Sequence, residues 1–354
     1  MMVKSLVLNT RVSRCGFVNA GSKETHILEA RCALRHHFEV TNITVEGRVM
    51  IAVGIDLGGT KIEAQLFDAD WRAFDVKRVP TPKNYDALID DLAGLVAWAE
   101  KTSGAPSPIG VGAAGLVNPV TGLTTAANLP TNGKPFHADL RAVVARPMTF
   151  LNDSQAMALS EAVFGAGKNR SRVLALVLGT GVSGGYAVNG NIQSGLTQTG
   201  GEFGHIAAPA HLVTAFGLPL VACGCGQIGC IETLISGAGL GRISETIMCV
   251  AQSPEQIIAA RGADPDAQRV WDIWCALVGD LIRTLTRTLD PDCIILGGGL
   301  SKIAGVADDL MAAAQAAQFA GFDIAPIVIA KGGDASGARG AAYAAVMEAG
   351  REDA

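Results

Sequence analysis

Three cysteines, a histidine and two glutamates fall within one stretch of this chain, Gly201–Gly237. The cysteines stand as C-x-C-x4-C, at Cys223, Cys225 and Cys230, with His205 upstream. Glycines separate the cysteines, so the backbone there can fold tightly. Three thiolates and one imidazole make a closed tetrahedral zinc site of the structural kind. A catalytic zinc needs an open position for water, which four protein ligands do not leave. Plain burial or disulfide bonding is the alternative reading of the same cysteines. Glu202 precedes His205 and Glu232 follows Cys230, each close to its ligand in sequence. A metal that pins both ends of this loop would arrange Glu202, His205 and Glu232 around something else.

Two glycine turns offer a second chemistry. The apolar run Ile51–Leu57 and the alternating run Ile62–Phe67 flank Gly58-Gly59, with Asp56 before the turn and Thr60 and Lys61 after it. This predicts a β-hairpin. Its exposed N–H groups, hydroxyl and ammonium suit phosphate oxygens; an ordinary hairpin is the other reading. It is not a Walker A loop, which needs GxxxxGK[ST] ahead of a helix. The design recurs at Gly179-Thr180-Gly181, after the apolar run Val173–Leu178 and before a strand ending at Val188. Two such hairpins point to two similar domains facing one phosphate chain. Gly297-Gly298-Gly299 closes a third strand, Cys293–Leu296, and allows close approach by a flat ligand. Asp153 lies where a strand, Met148–Leu151, meets a helix expected over Ser154–Phe164. Such a carboxylate is either a helix N-cap or a general base in a cleft. Asn128 lies in a long loop from Gly115 to Gly133, and loops of that length usually have a function.

These groups need a scaffold, and the bulk sequence describes one. A chain of 354 residues is long for one core, which leads to two domains. Hydrophobic residues make up 49% of it and glycines number 43, as suits a compact α/β enzyme with tight turns. The net charge of −5 gives no basic footprint for nucleic acid. No apolar run has the length of a membrane helix. The remaining cysteines, Cys15, Cys32, Cys249, Cys275 and Cys293, are scattered and read as reduced, mostly buried thiols of a cytoplasmic protein. Helices are expected from Tyr85 to Lys101, capped by Asn84, over Ser253–Ala260 and Ala267–Leu289, and over Gly337–Glu348. Further strands are expected at Ile109–Ala113 and Ile327–Ile329, and Asn189-Gly190 as a hairpin turn. Residues 1–49 lack this organisation and read as a dispensable extension ahead of Met50, with one helix expected over 22–38.

Taken together, these residues resemble the ROK family, the sugar kinases and related repressors of the actin-like ATPase superfamily. The resemblance runs from Met50 to the C-terminus. It rests on GIDLGGTKIE at Gly54–Glu63, LNDSQA at Leu151–Ala156, LGTGVSGG at Leu178–Gly185, GEFGH at Gly201–His205, CGCGQIGCIE at Cys223–Glu232 and LGGGLS at Leu296–Ser301. The stretches RVPTPKNYDAL, AANLPTNGKPFHADL and GGDASGARGAA are most similar to the family's bacterial N-acetyl-D-glucosamine kinases, with fructokinases and mannokinases close behind.

The resemblance implies an α/β fold of two ribonuclease-H-like domains with mixed sheets, flanking an active-site cleft. Residues 50–150 with the last helix, 337–354, would form the small domain, and residues 151–336 the large one. It implies ATP-dependent phosphorylation of a hexose at its 6-hydroxyl, with Mg2+ and a structural Zn2+, in a homodimer. Gly58, Gly59, Thr60 and Lys61 with Gly179, Thr180 and Gly181 would clamp the ATP phosphates. Asp56 would lie in the outer shell of Mg2+, and Gly297, Gly298 and Gly299 near the adenosine. Asp153 would take the proton of the sugar hydroxyl. Asn128, Asn152, Glu202, His205 and Glu232 would hold the other hydroxyls, His205 also binding zinc with Cys223, Cys225 and Cys230. One departure bears on sugar choice: Gly112-Ala113-Ala114-Gly115 stands where the family often has Gly-Ile-Pro-Gly. A sugar-responsive transcriptional regulator of the same family is the rival reading. It needs a winged helix-turn-helix of about 60–80 residues in front, which residues 1–49 do not easily supply.

Overall fold

The structure, a computed structural model, describes residues 44–45, 48–333 and 336–352. The helix expected over 22–38 lies outside these residues.

The strands in chain order are β1 (Thr44–Val45), β2 (Arg48–Leu57), β3 (Lys61–Asp68), β4 (Ala73–Pro80), β5 (Ile109–Ala113), β6 (Leu116–Val117), β7 (Thr124–Thr125), β8 (Thr149–Asn152), β9 (Arg172–Leu178), β10 (Val182–Val188), β11 (Asn191–Ile192), β12 (Cys293–Gly297) and β13 (Ile327–Ile329). One sheet runs β4-β3-β2-β5-β8, and a second runs β11-β10-β9-β12-β13. Their pairings repeat in kind. In the first sheet β4, β3 and β2 pair antiparallel, and β5 and β8 continue parallel. In the second, β11, β10 and β9 pair antiparallel, and β12 and β13 continue parallel. The duplicated glycine hairpin thus belongs to a duplicated sheet, β2–β3 in the first and β9–β10 in the second, and the fold is the mixed α/β architecture expected.

Local sequence explains the elements. The parallel strand β5 is buried along its whole length and reads as an unbroken run of small and apolar residues. Asn84 caps the helix Tyr85–Ser103 by accepting from Ala87 N, and Gly104 ends it at φ 74°. Leu88, Leu92, Leu95, Val96 and Ala99 are the buried face of that helix, as their spacing predicts. Asn189 and Gly190 have φ of 50° and 72°, the double positive φ of a tight hairpin turn.

Three expectations are corrected. The first sheet starts before Met50, because β2 begins at Arg48 and Thr44–Val45 pairs back onto it. The loop from Gly115 to Gly133 contains the small hairpin β6–β7. The helix Asp153–Val163 is capped by Asn152, so Asp153 is its first helical residue rather than its cap. β4 was not expected, since it is a half-exposed edge strand rich in charge, without apolar alternation. The helices Phe136–Val144, Gly237–Met248 and Val306–Ala317 were also unforeseen. Cys275 and Cys293 are buried as expected, whereas Cys249 is exposed.

The core of the second sheet is built on the long helix Pro265–Leu289, whose Trp271 and Trp274 stack at 4.8 Å. The first sheet packs on the helices Tyr85–Ser103 and Phe136–Val144. Its other face is covered by the last helix, Ser336–Glu352. A Cβ on Gly54 of β2 would lie 2.0 Å from Ala338 O, and one on Gly110 of β5 would lie 1.9 Å from Ala341 O. The helix Asp153–Val163 lies on the second sheet and meets this last helix at Gly340, where a Cβ would fall 1.8 Å from Ala156 O. Only glycine permits backbones so close. Among the described residues no helix is long and apolar enough to cross a membrane.

Candidate active site

The first glycine turn joins β2 to β3. Leu57 pairs with Ile62, and Gly58 N bonds Lys61 O at 3.0 Å. The end of β4 supports it from the side. Thr81 Oγ1 donates to Gly58 O at 2.7 Å, Thr81 N bonds Thr60 O at 3.0 Å, and Lys83 Nζ reaches Gly59 O at 3.4 Å. Lys61 Nζ lies 3.7 Å from the buried Glu63, which also pairs with Arg78. Asp56, next to the last residue of β2, lies against the first turn of the last helix, where a Cβ on Gly337 would come within 2.9 Å of its carboxyl carbon. Asn128 sits beside this turn, its Cβ 3.3 Å from where one on Gly59 would be.

The second turn joins β9 to β10. Gly179 N bonds Gly181 O at 3.0 Å, and Gly237 N bonds Gly179 O at 2.8 Å. Gly297–Gly299 lies alongside, the missing Cβ of Gly179 falling 3.7 Å from Gly299 N. Gly298 has φ 82°, and a Cβ there would strike Leu178 O at 2.3 Å. These glycines leave backbone amides unshielded by side chains, the surface that phosphates and flat rings need.

The carboxylates come next. Asp153 Oδ1 accepts from Ser154 N at 2.8 Å, and Ser154 Oγ lies 2.6 Å from Ser183 Oγ of β10. Burial pushes the Asp153 carboxyl above its ordinary range, against the lowering effect of its bonds from Ser154. Glu202 is also raised, first by burial; His205 opposes the shift, and the nearby Asp153 and Glu232 add to it. Glu202 therefore feels both Asp153 and Glu232. Asn152 is occupied at both ends, its Oδ1 accepting from Ser154 N at 3.0 Å and its Nδ2 donating to Gly115 O at 3.1 Å. Each end retains capacity for one more partner.

Beside these acids, His205, Cys223, Cys225 and Cys230 converge, one donor atom of each lying within 4.8 Å of all the others. The sequence folds this way because Cys223–Gly226 makes a tight turn and Cys230 bridges back to Ala207. Cys223 Sγ is 3.5 Å from His205 Nδ1, and Cys225 Sγ is 3.5 Å from Cys230 Sγ. A tetrahedral zinc has donor separations of about 3.5–3.8 Å, given its bond lengths. The donor set and spacing fit that ion. His205 turns its other nitrogen, Nε2, toward Glu202 Oε2 at 3.6 Å. Glu232 begins the helix after Cys230 and reaches the second turn, where its Oε2 accepts from Val182 N at 2.7 Å. Sequence reasoning gave no link between the cysteine loop and the second glycine turn, and the structure joins them through this side chain. It missed Thr81 and Ser183, although Thr81 lies within the quoted RVPTPKNYDAL.

Two sheets of one topology, each led by a glycine turn, define an actin-like ATPase type of fold. Residues 52–348 match the ROK family, and the chain belongs to it. It is 38% identical over 292 residues to N-acetylgalactosamine kinase AgaK of Shewanella sp. (strain ANA-3), covering 82% of this chain and 94% of that protein. It is 38% identical over 295 residues to N-acetyl-D-glucosamine kinase of Escherichia fergusonii, covering 82% and 97%. Among solved structures it is similar to the ROK hexokinase from Thermus thermophilus, with 31% identity, a TM-score of 0.75, and coverage of 85% of this chain and 99% of that one.

Proposed function

We propose that this protein transfers the γ-phosphoryl group of ATP to the 6-hydroxyl of a hexose, with N-acetyl-D-glucosamine as first substrate. The observation that carries the reading is Asp153. It is a carboxylate of raised pKa at the end of a parallel strand, free of the capping role, and beside a second perturbed acid. The names of the two relatives support an acetamido sugar.

In this reading Asp153 accepts the proton of the sugar 6-hydroxyl as that oxygen bonds the γ-phosphorus. The bond from phosphorus to the bridging β-oxygen breaks, and ADP leaves. Gly58–Lys61 and Gly179–Gly181 hold the phosphates, and Gly297–Gly299 lies against the adenosine. Asn128, Asn152, Glu202, His205 and Glu232 orient the sugar hydroxyls. Positioning and charge stabilisation dominate such transfers. Mg2+, when bound, would neutralise charge between the β- and γ-phosphates; Asp56, a carboxylate beside the first glycine turn, fits its outer shell. Zn2+ at His205, Cys223, Cys225 and Cys230 would be structural.

Residues 50–150 with the last helix would act as one domain and residues 151–336 as the other, closing to exclude water. The protein would work as a cytoplasmic homodimer, which light scattering tests directly. Release of ADP across a panel of N-acetylglucosamine, N-acetylgalactosamine, glucose, mannose and fructose tests the main reading. Sugar-dependent ADP release is expected. Silence with every sugar, together with specific DNA retention, would favour a sugar-responsive regulator instead.

A further inference from the structure

Behind Asp153 two hydroxyls meet. Ser154 Oγ, on the helix that Asp153 begins, lies 2.6 Å from Ser183 Oγ of β10. Ser154 is 4% exposed. Its hydroxyl also lies 3.4 Å from Asp153 Oδ1, the same oxygen that accepts from Ser154 N at 2.8 Å. A hydroxyl has one proton to give, and an ionised carboxylate can only accept. With Asp153 ionised, the Ser154 proton therefore points to Asp153, and the Ser183 proton points to Ser154. Hydrogen bonds in such a chain polarise and strengthen one another. Ser183 stands two residues beyond Gly181, so the far end of the chain is fixed in the strand that leaves the second glycine turn.

We propose that Ser154 and Ser183 are positioning residues for the base: they turn Oδ1 of Asp153 toward themselves, leave Oδ2 for the sugar hydroxyl, and tie Asp153 to the strand behind the phosphate turn. The inference rests on the kinase reading above and deepens it.

Three observations favour this role over packing. The start of the helix does not need the Ser154 hydroxyl, because Asn152 Oδ1 caps it by accepting from Ser154 N at 3.0 Å. Nor does the docking of the helix on β10. A Cβ on Gly185 would lie 2.7 Å from Ala158 Cβ and 3.1 Å from Gln155 Cα, and Gln155 Nε2 donates to Gly200 O at 2.7 Å. Finally, β10 is braced where Ser183 leaves it, since the preceding Val182 N donates to Glu232 Oε2 at 2.7 Å. What remains for the two hydroxyls is the carboxylate. The terminal torsion of an aspartate is broad, and bonds onto one of its oxygens narrow it. Reacting groups misplaced by about 1 Å can lose on the order of 10²-fold in rate.

The test is a set of mutant cycles on the full chain: Ser154→Ala, Ser183→Ala, their pair, and each single change in the Asp153→Asn background. It measures kcat, the KM for N-acetylglucosamine and for ATP, and Tm. Each serine variant should lose about 3- to 10-fold in kcat, the usual worth of one hydrogen bond, with both KM values unchanged. The pair should lose no more than Ser154→Ala alone, which already cuts the chain. In the Asp153→Asn background neither change should lower the residual rate further. Losses that multiply in the pair, or that persist in full without Asp153, show that the hydroxyls do not act through the base and overturn the proposal. An unaltered kcat overturns it too. If Ser183→Ala is unstable, Ser183→Thr and Ser183→Val replace it, being alike in shape and differing in the hydroxyl. Threonine should keep kcat and valine should lose it, and equal rates overturn the proposal. No turnover of any sugar by the unaltered protein would instead remove the kinase reading on which this one stands.

Discussion

Asp153 is where one residue divides two accounts of the protein. Sequence position left it as cap or base, and nothing local could decide. The structure gives the cap to Asn152. Asp153→Asn should therefore retain sugar and ATP binding and lose about 10²–10⁴-fold in kcat, the usual cost of a missing base. Near-normal turnover would mean that Asp153 takes no proton. The acid limb of the pH–kcat profile should follow the same group. Asp153 must be ionised to act, so turnover should fall as pH drops through a pKa above the ordinary aspartate range. Stability moves the other way. A raised carboxyl pKa means the fold holds the proton more tightly than the unfolded chain, so its stabilising contribution is present at low pH and lost as pH rises through the folded pKa. Asp153→Asn should then raise Tm near neutral pH, and the gain should vanish in acid.

At the scale of elements, the metal loop and the second turn form one unit. The spacing of Cys223, Cys225 and Cys230 was legible because metal geometry constrains sequence directly. The link from Glu232 to Val182 N was not, since a hydrogen bond across fifty positions leaves no local pattern. This sets what Cys225→Ser should do. Zinc content should fall, and the sugar KM or kcat should worsen on the order of 10²-fold as Glu202, His205 and Glu232 lose register. Affinity for an ATP analogue should weaken as well, though less, because Glu232 braces the turn at Gly179–Gly181. Zinc loss with unaltered sugar kinetics would show that the metal does not organise the site. Helices with caps and a clear apolar face, such as Tyr85–Ser103, were readable. The edge strand Ala73–Pro80 was not, because it pairs with β3 while only Phe74 and Val79 pack on the core, which leaves no apolar alternation to read.

For the whole molecule, the repeated hairpin in sequence foretold the repeated sheet, whereas the true start of the first sheet was misjudged. Removing residues 1–43 should leave Tm and turnover unchanged. Removing residues 1–49 takes away Thr44–Val45 and the first residues of β2, and should lower Tm measurably. A drop with the shorter deletion would show that the earlier residues contribute to the folded unit. Gly340→Val should cost about 1–3 kcal/mol by overpacking, read as a lower Tm, since a Cβ there meets Ala156 O. That crossing also bears on how the protein is born. The first sheet precedes the second in sequence, yet the helix fitting the notches at Gly54 and Gly110 is Ser336–Glu352, which follows the strands of both. During synthesis the leading sheet must stay open on one face while everything after it emerges. Domains made in sequence usually fold in that order; here the second sheet and its helices can finish first, and the first sheet must wait for a helix made after both.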